Sequence, residues 1–485
     1  MFYGRKEELT LLQEAYSNNI FESIVIYGRR RIGKSELIKE SYKDLDCKKI
    51  YYECKKASEE FNVSAISDKL VDVFNIPKPN FTKLDELLRY IFEKAIDEKI
   101  VFVLDEYPYM RGNSDFLDSV IQGVIDDYKN KTKVKFILCG SYIDVMEKIL
   151  SNDNPLYGRF TYKLNLKQMD YIESSLFYPN ASNEDKVKYY SVFGGVPYYN
   201  QFIDDKKTVK ENLIDLIVGS KSRLLPEAEG FLNEEISKLN NTNECFSAIA
   251  EGKTKFSDIL QKSNVSSSPT LSDILKKLIN MDVIEKIYPI NDENEKKSYY
   301  NITERLSKFY YKYIFKKGSY FNVMSPVDFY EEFIEKDFEN SYVPKEFENI
   351  TKQYLSIQNK NRKINPPLYK IGKYYYDLPK EKKNGEFDCV TLNKNGYDFY
   401  EVKFTKNPID DKIVNEETYQ LEKANIKYNK LGFVSKNGFN ISCNLFMINN
   451  PLFLSNITLV NKYLKNKNKI KFIMMLAWQK KNIKN

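Results

Sequence analysis

Histidine is missing altogether from the 485 residues. Its absence removes Ser-His-Asp and Cys-His nucleophile pairs, two-histidine zinc sites and imidazole pH switches. Any chemistry must therefore run on Lys, Ser, Arg, Asp and Glu. The six cysteines (Cys47, Cys54, Cys139, Cys245, Cys389, Cys443) show no C-x-x-C spacing, so neither a zinc ribbon nor a disulfide framework is indicated, and reduced thiols in a cytoplasmic protein are expected. No apolar run approaches the roughly 18 residues needed to span a bilayer. The longest, FIMMLAW at 472–478, is short and flanked by lysines, and is expected to be a docked terminal helix; no membrane partner is expected. The opening MFYGRKEELTLLQEAY goes straight into an amphipathic helical pattern, without the charged-then-apolar order of a signal peptide. The excess of one charge is small too: 75 basic against 68 acidic residues leave +7, which by itself identifies no polyanion partner.

What is present is enough for several cores. Apolar residues make up 42% and charged residues 29%, near globular averages, and the length argues for three or four domains. Over roughly the first 165 residues, short apolar runs alternate with helix-period segments, which marks a parallel α/β sheet. The candidate strands are SIVIYG (23–28), KKIYYEC (48–54), KIVFVLDE (99–106) and VKFILCGS (134–141). Helical segments dominate 166–240, where a small helical lid is expected, interrupted by FGGVPYY at 193–199. Residues 241–305 read as helix, helix, helix and two short strands, the order of a winged helix-turn-helix, with Gly252 and Ser268-Pro269 as stop and start signals. A Tyr/Phe-rich linker (306–335) leads to a further α/β region (336–460) and a basic C-terminal tail (461–485) with eight lysines and no acid.

The segment Gly28-Arg29-Arg30-Arg31-Ile32-Gly33-Lys34-Ser35 fits G-x-x-x-x-G-K-[ST] and lies between an expected strand and a helical segment from Glu36. Its glycines let backbone N–H groups turn inward around phosphate oxygens, and the helix N-terminus adds partial positive charge. Lys34 is expected on the β/γ-phosphates of ATP and Ser35 on Mg²⁺. The run at 99–106 ends in Asp105-Glu106. It is expected beside the first strand, with Asp105 in the Mg²⁺ shell and Glu106 polarising the attacking water. Cys139-Gly140-Ser141 ends the next run, placing Ser141 to orient water near the γ-phosphate, the plainer reading being a strand-to-helix turn. Arg159, in PLYGR, is positioned to neutralise γ-phosphate charge in cis or from a neighbouring subunit, or else is a surface arginine.

F-Y-G-R-x-x-E-L (2–9), GRRRIGKS, VLDEYPYM, CGS, PLYGR and GGVPYY, in that order, resemble the archaeal-type AAA+/STAND-related P-loop ATPases. The resemblance extends through the winged helix to a C-terminal domain that looks like the PD-(D/E)XK, restriction-endonuclease-like type. It implies an ATP-binding core over 1–165, an adenine pocket lined by the Gly4-Arg5 region, Arg159 as an arginine finger, and a homo-oligomer.

Two C-terminal features carry further chemistry. The third helix of the winged-helix region offers Ser268, Thr270, Ser272, Asp273, Lys276 and Lys277 on polar faces, which suit a DNA major groove or a protein contact. EFDCV (386–390) and YDFYEVK (397–403) read as two strands around Asn395-Gly396, a hairpin signal. Glu401 and Lys403 share a face. Pairing of 392 with 397 puts Asp388 opposite Glu401; a tighter turn puts it opposite Lys403, and both registers keep the three on one side. Two carboxylates and a lysine suit metal-assisted phosphodiester hydrolysis, with Asp388 and Glu401 on Mg²⁺, Lys403 stabilising charge, and Glu348 on the preceding helix completing the set. Asp388, Glu401 and Lys403 match the PD-(D/E)XK motif residues, although no proline precedes Asp388, and Glu53-Cys54-Lys55 and Glu381-Lys382-Lys383 also fit E-x-K. The expected function is an ATPase coupling nucleotide state to a DNA-directed winged helix and a nuclease-like domain. The alternative is an ATP-dependent signalling switch or scaffold that binds partners without cleavage.

Overall fold

A computed structural model of the chain describes residues 2–236, 241–378, 381, 383–441, 446–450, 457–466 and 469–478, with side-chain surroundings for those up to 230 and for 241–441. Cys443 and Lys467, Lys480, Lys481 and Lys484 of the lysine-rich tail lie outside the described residues. The elements run α1 (Lys6–Ser17), β1 (Glu22–Tyr27), α2 (Lys34–Ser41), β2 (Lys48–Glu53), α3 (Glu59–Phe74), α4 (Leu84–Asp97), β3 (Ile100–Asp105), α5 (Tyr107–Arg111), α6 (Phe116–Tyr128), β4 (Lys135–Gly140), α7 (Ile143–Ile149), β5 (Tyr162–Asn165) and α8 (Tyr171–Ser174). They continue with α9 (Asn183–Phe193), α10 (Pro197–Asn200), α11 (Val209–Leu213), α12 (Leu225–Ile236), α13 (Thr242–Ala250), α14 (Phe256–Lys262), α15 (Ser268–Asn280), β6 (Ile284–Ile287), β7 (Tyr299–Ile302), α16 (Arg305–Tyr313), α17 (Gly318–Val323), α18 (Pro326–Tyr330) and α19 (Val343–Lys360). The last are β8 (Leu368–Leu378), β9 (Lys383–Asn393), β10 (Gly396–Lys403), β11 (Ile409–Asp410), α20 (Asp411–Lys423), β12 (Lys430–Ser435), β13 (Phe439–Asn440), β14 (Phe446–Asn450), β15 (Ile457–Asn466) and β16 (Lys469–Trp478). They fall into two units: Met1–Phe177 with Gly195–Gln201 and Asn280–Asp282, and the remainder.

In the first unit, β1 to β5 form one parallel sheet in the order β2-β3-β4-β1-β5. β1, β3 and β4 are buried along their whole length, because helices cover both faces; such strands read as unbroken apolar runs. α4 carries Leu84, Leu87, Leu88, Ile91, Phe92 and Ala95 at helical spacing and buries all six, forming with α6 the core on one face. α1 and α2 fill the other face through Leu12, Tyr16, Leu37 and Ile38. Each fully buried large apolar side chain contributes about 1.5–3 kcal/mol relative to exposure. The expectation that the Asp105 strand lies beside the first strand is corrected: β4 stands between them. Both runs are uniformly apolar, so periodicity alone cannot order them. β5 was not anticipated.

In the second unit, α13, α14 and α15 precede an antiparallel β6–β7 pair. α15 buries Leu271, Ile274, Leu275 and Leu278. α19 bears one acid inside its buried face: Glu346, with a side chain 2% exposed, bonds Arg305 Nε at 3.0 Å and Lys308 Nζ at 2.6 Å, both from α16. The large sheet runs β14-β15-β16-β12-β10-β9-β8. Its β9–β10 hairpin adopts the register pairing Leu392 with Tyr397; continued, this puts Asp388 opposite Glu401 and excludes the tighter turn. The run at 472–478, expected to be helical, lies within β16, which pairs with β12 and β15. Its apolar residues suit a buried strand as well as a helix, and the flanking strands decide. Among the described residues no helix is long and apolar enough to cross a membrane.

Candidate functional site

The C-terminal ends of β1, β4 and β3 bring the phosphate-loop residues together with the acidic pair. Tyr27 pairs with Gly140, so Gly28 and Ser141 leave the sheet side by side. The loop turns through left-handed or open backbone at Gly28 (φ 146), Arg31 (φ 70) and Gly33 (φ 90). A Cβ on Gly28 would come 2.3 Å from the carbonyl oxygen of Leu166, so only glycine fits there. Gly33 caps α2, which starts at Lys34 and aims its free N–H groups at the loop's concavity.

Lys34 is buried, and its Nζ donates to the carbonyls of Gly28 (3.0 Å) and Arg29 (2.9 Å) and to Ser141 Oγ (2.9 Å). Ser141 in turn donates through its hydroxyl to Glu106, and its backbone N–H donates to Glu106 Oε2 at 3.1 Å. Ser35 Oγ donates to Asp105 Oδ2 at 2.6 Å, joined there by the hydroxyl of Tyr51. Burial works against ionisation of Asp105, but hydrogen bonds from Cys139, Ser35, Tyr51 and the Glu106 N–H outweigh it and hold the carboxyl below its ordinary range. Cys139 is pushed the other way, first by burial and then by the charge of Asp105, so it is an inert thiol. Glu106 sits at φ 48, an uncommon conformation for a side chain of its size. The expected set of Lys34, Ser35, Asp105, Glu106 and Ser141 is thus assembled. A serine hydroxyl bonded to an ionised carboxylate offers the hard oxygen donors Mg²⁺ takes, so Ser35 and Asp105 fit the metal; Mg²⁺ there would neutralise charge on the transferring phosphate.

Other expected residues lie elsewhere. Arg159 is not beside the loop: Ser23, near the start of β1, donates to the Arg159 carbonyl, and the guanidinium reaches Asp126 at 3.1 Å and the Tyr157 carbonyl at 2.9 Å. This is the strand-start edge of the sheet, about 17–20 Å of strand from the phosphate loop, so the in-cis role is corrected. Sequence spacing placed Arg159 after the strands without revealing which edge it occupies. Arg5 is buried and donates to Lys167 O at 2.5 Å and Ile32 O at 3.3 Å, while its N–H meets Glu173 at 2.6 Å. Glu36 is the second residue of α2's first turn after Lys34 and pairs with Lys39 at 3.4 Å. Missed from the sequence were Tyr51, Tyr109 and Tyr142, the last two holding Arg30. Their only signal was position, three residues after Glu106 and one after Ser141.

In the second unit, Glu348, Asp388, Glu401 and Lys403 line one cavity of about 500 Å³. Burial, then the charge of Asp388, pushes Glu348 up to about 8. Burial also raises Glu401 against the pull of Lys403. Asp388 pairs with Lys373, which also holds Glu386 at 2.7 Å, and Glu401 pairs with Lys403. Among the described residues no three His, Cys, Asp or Glu side chains are placed to hold a metal ion. As arranged, Asp388 and Glu401 are each engaged by a lysine.

The sheet order, the phosphate loop and the Ser35–Asp105 and Glu106–Ser141 pairs define a P-loop ATPase. Residues 2–200 match a family described as an ATPase domain predominantly from Archaea, and residues 310–425 match one described as archaeal and bacterial proteins of unknown function. An uncharacterized protein of Methanocaldococcus jannaschii is 30% identical over 408 residues, covering 83% of this chain and 88% of that one. An uncharacterized ATP-binding protein of the same organism is 50% identical over 50 residues, 10% of this chain and 80% of that one. Among solved structures, the Walker-type ATPase of Pyrococcus abyssi is 18% identical, covers 64% of this chain and 96% of its own, and has a TM-score of 0.49. The chain belongs to the same family as that 30%-identical Methanocaldococcus jannaschii protein, and its residues 2–200 carry the match to the archaeal ATPase domain.

Proposed function

We propose that the chain hydrolyses ATP in its first unit and uses nucleotide state to control a DNA-directed second unit. The observation that carries the reading is the single hydrogen-bonded array of Lys34, Ser141 and Glu106 beside Ser35 and Asp105. Lys34 and the loop N–H groups hold the β/γ-phosphates, Ser35 and Asp105 hold Mg²⁺, and Glu106 with Ser141 orients and deprotonates the attacking water. Arg159, paired with Asp126, serves a neighbouring copy's phosphates in an oligomer. The order α13, α14, α15, β6, β7 supports a winged helix with α15 as its groove-facing element, and the β9–β10 hairpin with α19 supports a PD-(D/E)XK-like domain.

The second reading, partner binding without cleavage, is favoured by one observation. Asp388 and Glu401 are each committed to a lysine, so the cavity recognises rather than cuts. The test is ATP hydrolysis by purified protein with Mg²⁺, with and without duplex or single-stranded DNA, alongside Lys34→Ala and Asp388→Ala. DNA-stimulated hydrolysis abolished in Lys34→Ala supports the DNA-directed ATPase. Nicked product lost only in Asp388→Ala would add cleavage. A rate indifferent to DNA and intact DNA would leave the signalling switch or scaffold.

A further inference from the structure

ATP hydrolysis leaves negative charge on the β–γ bridging oxygen as the P–O bond to ADP breaks and the water oxygen bonds to phosphorus, its proton passing to Glu106. A guanidinium at that point lowers the barrier. Arg159 stands at the far edge of the sheet and supplies none in cis. The phosphate loop itself carries three arginines, Arg29, Arg30 and Arg31, and they diverge. Arg31 lies over the ring of Tyr198 at 4.0 Å. Arg30 turns towards the water-activating side: its Nη2 donates to Tyr109 OH at 3.1 Å and Tyr142 OH at 3.0 Å, with the guanidinium carbon 5.5 Å from the Tyr142 ring centroid.

Both tyrosines belong to the elements that deliver the reacting groups. Tyr142 directly follows Ser141, and the Tyr109 N–H donates to the Glu106 carbonyl at 2.9 Å. The two rings pack edge to face with centroids 5.7 Å apart, so the hydroxyls form a fixed fork. Arg30 is thus anchored at three places: its own loop, the segment after Glu106 and the residue after Ser141. A surface arginine needs no such fork, and neutral phenols hold the guanidinium without cancelling its charge.

The geometry points to Arg30 as the in-cis catalytic arginine of this ATPase, its guanidinium contacting the γ-phosphate and the bridging oxygen, with Tyr109 and Tyr142 as its positioning residues. The inference rests on the ATPase reading above. The test compares the full-length chain with Arg30→Ala, Arg30→Lys and the double variant Tyr109→Phe/Tyr142→Phe. It measures single-turnover ATP hydrolysis, ADP affinity, and trapping of ADP with aluminium fluoride, a mimic of the transferring phosphoryl group. Arg30→Ala is expected to lose about 10³–10⁵-fold in rate and to stop trapping aluminium fluoride, while ADP affinity changes less than about threefold. Arg30→Lys keeps the charge but not the fork geometry and should recover only part of the rate; added guanidinium ion should rescue Arg30→Ala partially. Mixing Arg30→Ala with Lys34→Ala subunits should restore nothing, because an in-cis group cannot complement. Arg30→Ala that hydrolyses or traps aluminium fluoride like the wild type overturns the assignment, and so does activity regained on mixing. A wild-type chain that does not hydrolyse ATP would instead sink the ATPase reading itself.

Discussion

Glu346 offers a sharp test of how the second unit is held together. Burial alone would raise its pKa, but Lys308 and Arg305 outweigh it and bring the carboxyl down to about 2 from 4.5. At 1.36 kcal/mol per pH unit between those values, the cluster contributes about 3 kcal/mol at neutral pH. Because the folded value is depressed, that contribution is complete above about pH 4.5 and disappears as pH falls from there towards 2. Glu346→Gln keeps the shape and removes the charge, leaving Arg305 and Lys308, whose side chains are 11% and 16% exposed, without their counter-ion, so the loss at pH 7 should reach about 3 kcal/mol. Thermal unfolding of the full-length wild type and variant should differ by on the order of 10 °C at pH 7. The gap should narrow by about 1.4 kcal/mol between pH 7 and pH 3.5, where one pH unit of the window has been crossed. A gap that stays constant over that range, or a variant as stable as the wild type at pH 7, would refute the argument that ion pairing outweighs burial there.

Glu106→Gln should bind ATP normally yet hydrolyse it about 10²–10⁴-fold more slowly, read by nucleotide fluorescence beside phosphate release. Asp105→Asn should raise the Mg²⁺ concentration needed for half-maximal hydrolysis, checked by metal titration at saturating ATP. Gly195→Ala would place a Cβ 1.8 Å from the backbone oxygen of Met169 and should cost more than about 3 kcal/mol in stability. Gly123→Ala in α6 meets nothing within 4 Å and should add about 0.5–1 kcal/mol by helix propensity; chemical denaturation of the pair gives opposite shifts.

How far the sequence could be read depended on what each residue's signal encodes. β1 to β4 were visible because strands buried on both faces are continuous apolar runs. β5, reading Tyr-Lys-Leu-Asn with alternate residues exposed, is too short and half-wet to stand out. The phosphate loop, Asp105, Glu106 and Ser141 were legible because backbone turning and metal binding demand particular residues at particular spacings. The interposition of β4 was not, since strand order is decided by crossovers that leave no local mark. Nor was the tyrosine fork, in a chain holding 38 tyrosines, because a phenol's partner is set by the fold. The hairpin carrying Asp388 and Glu401 was legible with two registers open, of which the fold takes the one pairing Leu392 with Tyr397, yet Lys373, which takes Asp388, sits on β8 fifteen residues earlier with nothing nearby to announce it.

The parallel sheet gives the first unit two edges of very different tolerance. Every strand of it points its C-terminal end towards the phosphate loop, so a single added residue within β3 would swing Asp105 to the opposite face of the sheet. The other edge, where Asn130 and Lys131 are exposed in the turn between α6 and β4, lies a full strand length away. A fluorophore or affinity handle placed at that turn stands away from the chain's own phosphate loop but beside the Asp126–Arg159 pair, making the start of β4 the natural point of attachment for following the approach of a neighbouring copy.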